Sequence, residues 1–143
     1  MPTQARVARV IDGDTIEIAD GRLVRYLGID APELRRRVGG RWVEQPDPFG
    51  REATALNRRL VEGRTVRLEY DVRTHDRYGR LLAHVYVGSE SVNATLLKEG
   101  AARVRIIPPN VRYADEFRRF AAEARRQRRG LWSSVAQETP YGD

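Results

Sequence analysis

Apolar and polar residues alternate in several short stretches of this chain, with the two-residue period of a half-buried strand. Val7 to Ile11 is predicted as a first strand and Thr15 to Ile18 as a second, followed by an Asp20-Gly21 turn. Arg22 to Ile29 is a third, and its alternation puts Leu23, Leu27 and Ile29 on one face. Thr65 to Val72 is a fourth, with Val66, Leu68, Tyr70 and Val72 on one face. Leu81 to Val87 is a fifth, and the polar stretch Thr74 to Gly79 turns between the two. Elsewhere the period is helical. Phe49, Ala53, Leu56 and Leu60 mark a helix over residues 49–61, ended by Gly63. A short helix is expected over 92–99, capped by Gly100. A longer one covers 111–129, with Tyr113, Phe117, Phe120 and Ala124 as its stripe and Gly130 as its stop. Arg103 to Ile107 reads as extended, up to Pro108-Pro109. Residues 34–48 contain Arg35-Arg36-Arg37, Gly39-Gly40, Pro46 and Pro48 and read as a loop. A structureless connection of that length leans functional or mobile.

Three strands, a helix and two more strands are the order of an OB-fold, a five-stranded barrel with a helix between strands three and four. The expected class is α+β, mainly β: a five-stranded OB-fold β-barrel with three α-helices. It forms one domain over residues 1–132, ahead of a flexible tail over 133–143. An SH3-like barrel and a generic α+β layer remain alternatives. The OB barrel commonly binds nucleic acid or sugar chains.

A chain of 143 residues is long enough for one domain with a real core. The absence of cysteine excludes disulfides, zinc–thiolate sites, iron–sulfur clusters and a cysteine nucleophile. His75 reads as a turn residue and His84 as core or rim; two histidines are too few for a histidine-rich metal site. No run of 18 apolar residues occurs, so no membrane span is expected. Met1 to Arg6 is polar and runs straight into a strand pattern, so no signal peptide is expected. The chain as written is expected to be cytoplasmic, or secreted with its leader removed, and to be a monomer.

Charge changes this picture. Of 26 basic residues 25 are Arg; against 20 acids the net charge is +6. Such a balance suits a polyanionic partner, or simply a basic soluble protein. It is also uneven: residues 1–33 hold four Arg and six acids. Those acids would repel a phosphate partner unless a cation sits between them, which is the first hint of a metal.

Four short stretches then stand out. Asp12-Gly13-Asp14 fills the turn between strands one and two, and also fits ordinary turn chemistry. Arg25 falls on the face of Leu23, Leu27 and Ile29, where a charge is costly unless paired or used; it also fits an edge-strand charge that prevents aggregation. Asp30-Ala31-Pro32-Glu33 follows directly, as two carboxylates three residues apart or as a polar loop exit. Asp76-Arg77-Tyr78-Gly79-Arg80 fills the last hairpin, where a solvated turn is the alternative.

Taken in order, Asp12-Gly13-Asp14-Thr15, Arg25, Asp30-Ala31-Pro32-Glu33 and Asp76-Arg77-Tyr78-Gly79-Arg80 resemble the staphylococcal nuclease (thermonuclease-like) family. The resemblance runs from about Val7 to Trp132, through the Gly-Arg-Glu-Ala stretch at Gly50, the Val92-Asn93 helix start and Gly130-Leu131-Trp132. It implies a calcium-dependent phosphodiesterase on an OB-fold, acting on DNA and RNA with little sequence specificity. By similarity, Asp14 and Asp30 bind Ca²⁺ through carboxylate oxygens, and the residue at Ala31, often Thr in the family, adds its carbonyl. These are hard oxygen donors that suit calcium. Arg25 and Arg80 hold the scissile phosphate, and Glu33 positions or deprotonates the attacking water. Cleavage at the P–O5′ bond leaves 3′-phosphate ends. Arg77 and Tyr78 match a Lys-Tyr pair that meets a terminal phosphate. At Ile106-Ile107-Pro108, aromatic residues that face the base in the family are missing. In the long 34–48 stretch, Arg35, Arg36, Arg37, Arg41 and Trp42 are candidate strand contacts, against a disordered basic loop. Trp132 and the arginines of the last helix read as packing and solvated surface. The competing readings are an inactive OB-fold that binds single strands and a barrel that binds protein or polyanions.

Overall fold

The computed structural model describes residues 1–133. The first part of the expected tail, Ser133, caps a short 3₁₀ turn at Gly130–Trp132 through its hydroxyl; the rest of the 133–143 expectation lies outside the described residues. No helix among the described residues is long and apolar enough to cross a membrane.

Five strands close on themselves. β1 (Gln4–Asp12) pairs through its outer half with β2 (Thr15–Ile18) and through its start with β7 (Thr65–Glu69). β2 pairs with β3 (Leu23–Tyr26), β7 with β8 (Leu81–Val87), and β3 closes the ring against β8 in parallel. Register shifts in the β1–β2 ladder give the curvature that closure needs. Inside the ring lie Val7, Val10, Ile16, Ile18, Val24, Tyr26, Val66, Leu68, Leu81, Ala83 and Val85, all buried. Three helices complete the molecule: α1 (Gly50–Val61), α2 (Val92–Lys98) and α3 (Ala114–Arg126). α2 starts where the Ser91 hydroxyl accepts from the Ala94 amide. The expected five-stranded OB-fold barrel with three helices is therefore what the chain forms.

Several local expectations are corrected. The third strand stops at Tyr26 and resumes only as β4 (Ile29–Asp30), after a turn at Leu27-Gly28. Its inward face is Val24 and Tyr26, so Arg25 points out of the barrel rather than sharing an apolar face with Leu27 and Ile29. Alternation cannot be counted across that turn. The 34–48 segment is no loop: β5 (Arg35–Val38) and β6 (Arg41–Glu44) make a two-stranded hairpin turning at Gly39-Gly40. The fourth strand ends at Glu69, leaving Val72 exposed. The extended 103–107 segment keeps only β10 (Arg103–Val104), paired to β4, and the last helix starts three residues later and ends three earlier than its periodicity suggests. β9 (Glu90–Ser91) is a short addition to β8.

His84 and Trp132 are buried, as expected. His84 meets Tyr113 and Phe117 edge-on at 4.7 and 5.6 Å, and burial holds its imidazole down at about 4.

Candidate active site

The β1–β2 turn is built from below. Gly13 comes so close to Ala31 and Ala53 that a Cβ there would lie 2.7 and 3.0 Å from their methyl carbons. The Asp12 carboxylate accepts from the Asp14 amide at 3.0 Å, an Asx turn. The Asp12 carbonyl accepts from Asn57 Nδ2 of α1 at 2.9 Å, and Tyr26 donates its hydroxyl to Asn57 Oδ1 at 2.7 Å. Buried polar groups joined in this way specify one arrangement of the turn.

Asp14 projects from that turn and is buried. Its Oδ2 accepts from the Ala31 amide at 2.7 Å and lies 3.4 Å from Arg25; its Oδ1 accepts from the Thr15 hydroxyl at 3.2 Å. Burial pushes its carboxyl up to about 7, against the pull of Arg25.

Arg25 stands across the strand pair from Thr15. One of its amino groups donates to the carbonyls of Tyr26 and Ile29, both at 2.9 Å, and the other reaches Asp30 at 3.0 Å. The Leu27-Gly28 corner makes this cage. Gly28 sits at φ +80 against the Phe117 ring, where a Cβ would lie 2.6 Å away. Asn93 of α2 donates to the Leu27 carbonyl at 2.8 Å, and β10 pairs Asp30 with Arg103.

Glu33 follows at the base of the hairpin. Its amide donates to the Asp47 carboxylate at 3.2 Å and its carbonyl accepts from the Asp47 amide at 2.9 Å. Its own carboxylate has no hydrogen-bond partner among the described residues. Partial burial raises its pKa, and the negative charges of Asp14 and Asp30 add to this.

Arg80 lies just before β8. Val24 pairs with Leu81 and Arg25 with Leu82, so Arg80 arrives beside β3. Its Nε donates to Asp76 at 2.7 Å, leaving its two terminal amino groups without a hydrogen-bond partner among the described residues. Burial works to raise the Asp76 carboxyl, but bonds from Arg80 and Tyr78 outweigh it and hold it below its usual value. Arg77 donates to the Tyr78 hydroxyl at 2.8 Å.

One cleft of about 500 Å³ gathers Asp14, Arg25, Asp30, Glu33, Arg77, Tyr78 and Arg80. Ala31 is buried beside it and lines a smaller neighbouring cavity with Glu33 and Asp47. Arg35, Arg36, Arg37, Arg41 and Trp42 do not line the cleft; they form the exposed hairpin. Sequence reasoning named Asp12 only as part of the turn motif and missed Arg73, Arg105 and Asn110; all four line the cleft. Asn110 binds the Arg73 backbone in both directions at 2.9 Å. Nothing in the sequence sets these two arginines apart from the other twenty-three.

The donor set suits a hard cation. Among the described residues no group of three or more Asp, Glu or His side chains converges on one point. An ion here would take the two carboxylates, a main-chain carbonyl and water. Asp14 is buried, and that burial outweighs the pull of Arg25 on its carboxyl.

A model of the family described as staphylococcal nuclease homologue matches residues 23–134. The chain belongs to the staphylococcal nuclease family. Among relatives of this family, the SPbeta prophage-derived endonuclease YokF of Bacillus subtilis (strain 168) is 41% identical over 139 residues, 94% of this chain and 45% of that protein. Endonuclease YncB of the same organism is 42% identical over 139 residues, covering 94% of this chain and 64% of its own length. The thermonuclease of Staphylococcus hyicus is 38% identical over 132 residues, 90% of this chain and 75% of that protein. The chain thus spans less than half of the first of these relatives and about two-thirds to three-quarters of the other two. Family membership agrees with the closed barrel and with the order of the spaced motifs.

Proposed function

We propose that this chain is a calcium-dependent endonuclease that hydrolyses phosphodiester bonds in DNA and RNA with low sequence specificity. The observation that carries the reading is the convergence of Arg25, Glu33 and Arg80 on one cleft whose floor holds Asp14 and Asp30. Its endonuclease and thermonuclease relatives support it.

The chemistry follows from the charges. A phosphodiester entering the cleft meets Arg80, whose terminal amino groups are directed to no protein acceptor. It also meets Arg25, which exchanges its contact with Asp30 for a phosphoryl oxygen. Negative charge spreads over those oxygens as water attacks, and guanidinium forks match that charge two bonds at a time. Glu33 orients the attacking water and takes its proton. The new bond is from water oxygen to phosphorus; the bond broken is P–O5′, whose oxygen takes a proton from solvent while Glu33 returns its own to solvent, so the upstream fragment keeps a 3′-phosphate. Arg77 and Tyr78 meet a terminal phosphate. Asp14, Asp30 and the Ala31 carbonyl would hold Ca²⁺, which supplies Lewis-acid polarisation of a phosphoryl oxygen and acidifies bound water.

The test is cleavage of single-stranded DNA, duplex DNA and RNA in calcium and in excess chelator. Cutting in calcium alone, with 3′-phosphate ends, is expected. Binding without cutting in calcium overturns the reading in favour of an inactive strand-binding barrel. Equal cutting in chelator overturns the metal's part in it.

A further inference from the structure

We infer that the β5–β6 hairpin is a second nucleic-acid contact, a stacking platform for an unpaired base made by Trp42 and Arg37, which directs the cleft toward single-stranded substrates. The inference rests on the cleft reading for the direction of the strand, and deepens it by naming the substrate class.

All eight residues of the two hairpin strands are exposed, and Trp42 is 66% exposed. An indole so placed adds nothing to a core, yet it is not randomly oriented: the Arg37 guanidinium lies 5.5 Å from its ring centre. The two strongly exposed aromatic side chains among the described residues are Trp42 and Tyr78, and each carries an arginine against its ring, Arg77 lying 5.0 Å from Tyr78. Tyr78 lines the cleft. An aromatic face flanked by a guanidinium accepts a base of any identity while a phosphate binds the cation.

The hairpin is also aimed. Arg35 pairs with Glu44 and Arg37 with Trp42, so Arg35, Arg37 and Trp42 share one face. On that face Arg35 donates to the Ile11 carbonyl at 2.8 Å, beside the turn that carries Asp14. Arg36, on the other face, is bound to Asp47, which clasps the Glu33 backbone. Arg35 and Arg36 therefore anchor the hairpin, while Arg37 and Arg41 make no ion pair among the described residues. Arg37 is four residues from Glu33, so at most about 14 Å of chain separates them. A strand leaving the cleft reaches Trp42 within a few nucleotides. A stacked duplex has no open base face to offer the indole, and an unpaired strand does. The aliphatic residues at Ile106 and Ile107, near the cleft's other wall, offer no aromatic face.

The test needs no turnover. In excess chelator, a fluorescein-labelled twelve-residue oligothymidylate and its duplex form are titrated with native protein and with Trp42→Ala, Arg37→Ala and Trp42→Phe. Trp42→Ala is expected to weaken single-strand binding about tenfold and duplex binding far less. Arg37→Ala lowers the salt slope of single-strand binding by about 0.7. Trp42→Phe restores most of the affinity, because a ring remains. Quenching of tryptophan emission by the oligonucleotide is lost in Trp42→Phe. Thermal midpoints of all variants stay close to the native one, since the hairpin lies outside the core. Equal affinity of Trp42→Ala, or quenching by anionic phospholipid vesicles but not by the oligonucleotide, overturns the inference. If native protein cuts DNA while Trp42→Ala binds as tightly as native, the hairpin reading fails alone. If Trp42→Ala loses binding and native protein cuts nothing, the nuclease reading fails alone.

Discussion

Arginine is used in two ways in this molecule, and Arg25 and Arg37 are the clearest pair. Arg25 is held at both ends of its fork by two carbonyls and two carboxylates, over a network that runs through Asp14, Asp12, Asn57 and Tyr26 into the barrel core. Arg37 stands on an exposed hairpin with an indole for company. The difference is that between chemistry and grip. Stabilising charge as it develops on a phosphoryl group needs donors fixed before the reaction, because reorientation costs energy at the moment of transfer. Holding an unpaired base of unspecified identity needs a face and a charge that can adjust. In the proposed reading the barrel supplies the first and the hairpin the second. Glu33 and Asp47 are the hinge point between them, since the same backbone clasp closes the hairpin and fixes the residue proposed to orient water.

The largest expected effect lies on the cleft side. Arg80→Lys replaces a fork by a point charge, and single-turnover cleavage is expected to fall about 10²–10³-fold with circular dichroism unchanged. Turnover near the native value would remove Arg80 from the fixed set and blur the contrast with Arg37. A smaller effect is expected one layer below. Asn57→Ala leaves the buried Tyr26 hydroxyl without its acceptor and the Asp12 carbonyl without its donor. Urea unfolding should show a loss of about 1–3 kcal/mol for each group left unpaired. Cleavage should fall as well, because Asp14 then sits on a looser turn. Native activity with reduced stability would mean that the network supports the fold without organising the site.

The barrel was legible because its strands have one dry face. Thr15–Ile18 and Leu81–Val87 are bounded in the structure as the sequence predicts. The hairpin was not, because residues exposed on both faces leave no alternation to read, and its arginines and glycines look like a loop. Arg25 was singled out for the wrong reason. Its supposed apolar neighbours Leu27 and Ile29 lie beyond a turn at Gly28 that resets the register, and it faces outward, opposite the buried Val24 and Tyr26. Asp14, Asp30, Glu33 and Arg80 could be found together only because four motifs occur in one order. Asn110, Arg73 and Arg105 belong to no motif, and only the folded chain brings them to the cleft.

The central claim is that the cleft's fixed groups perform the hydrolysis, with Glu33 acting on water. Glu33→Gln tests it most directly, since it keeps the size and polarity of the side chain while removing its charge and basicity. Single-turnover cleavage of single-stranded DNA in saturating calcium should fall by at least about 100-fold, with an unchanged thermal midpoint. A folded Glu33→Gln protein that cuts at the native rate would contradict the account.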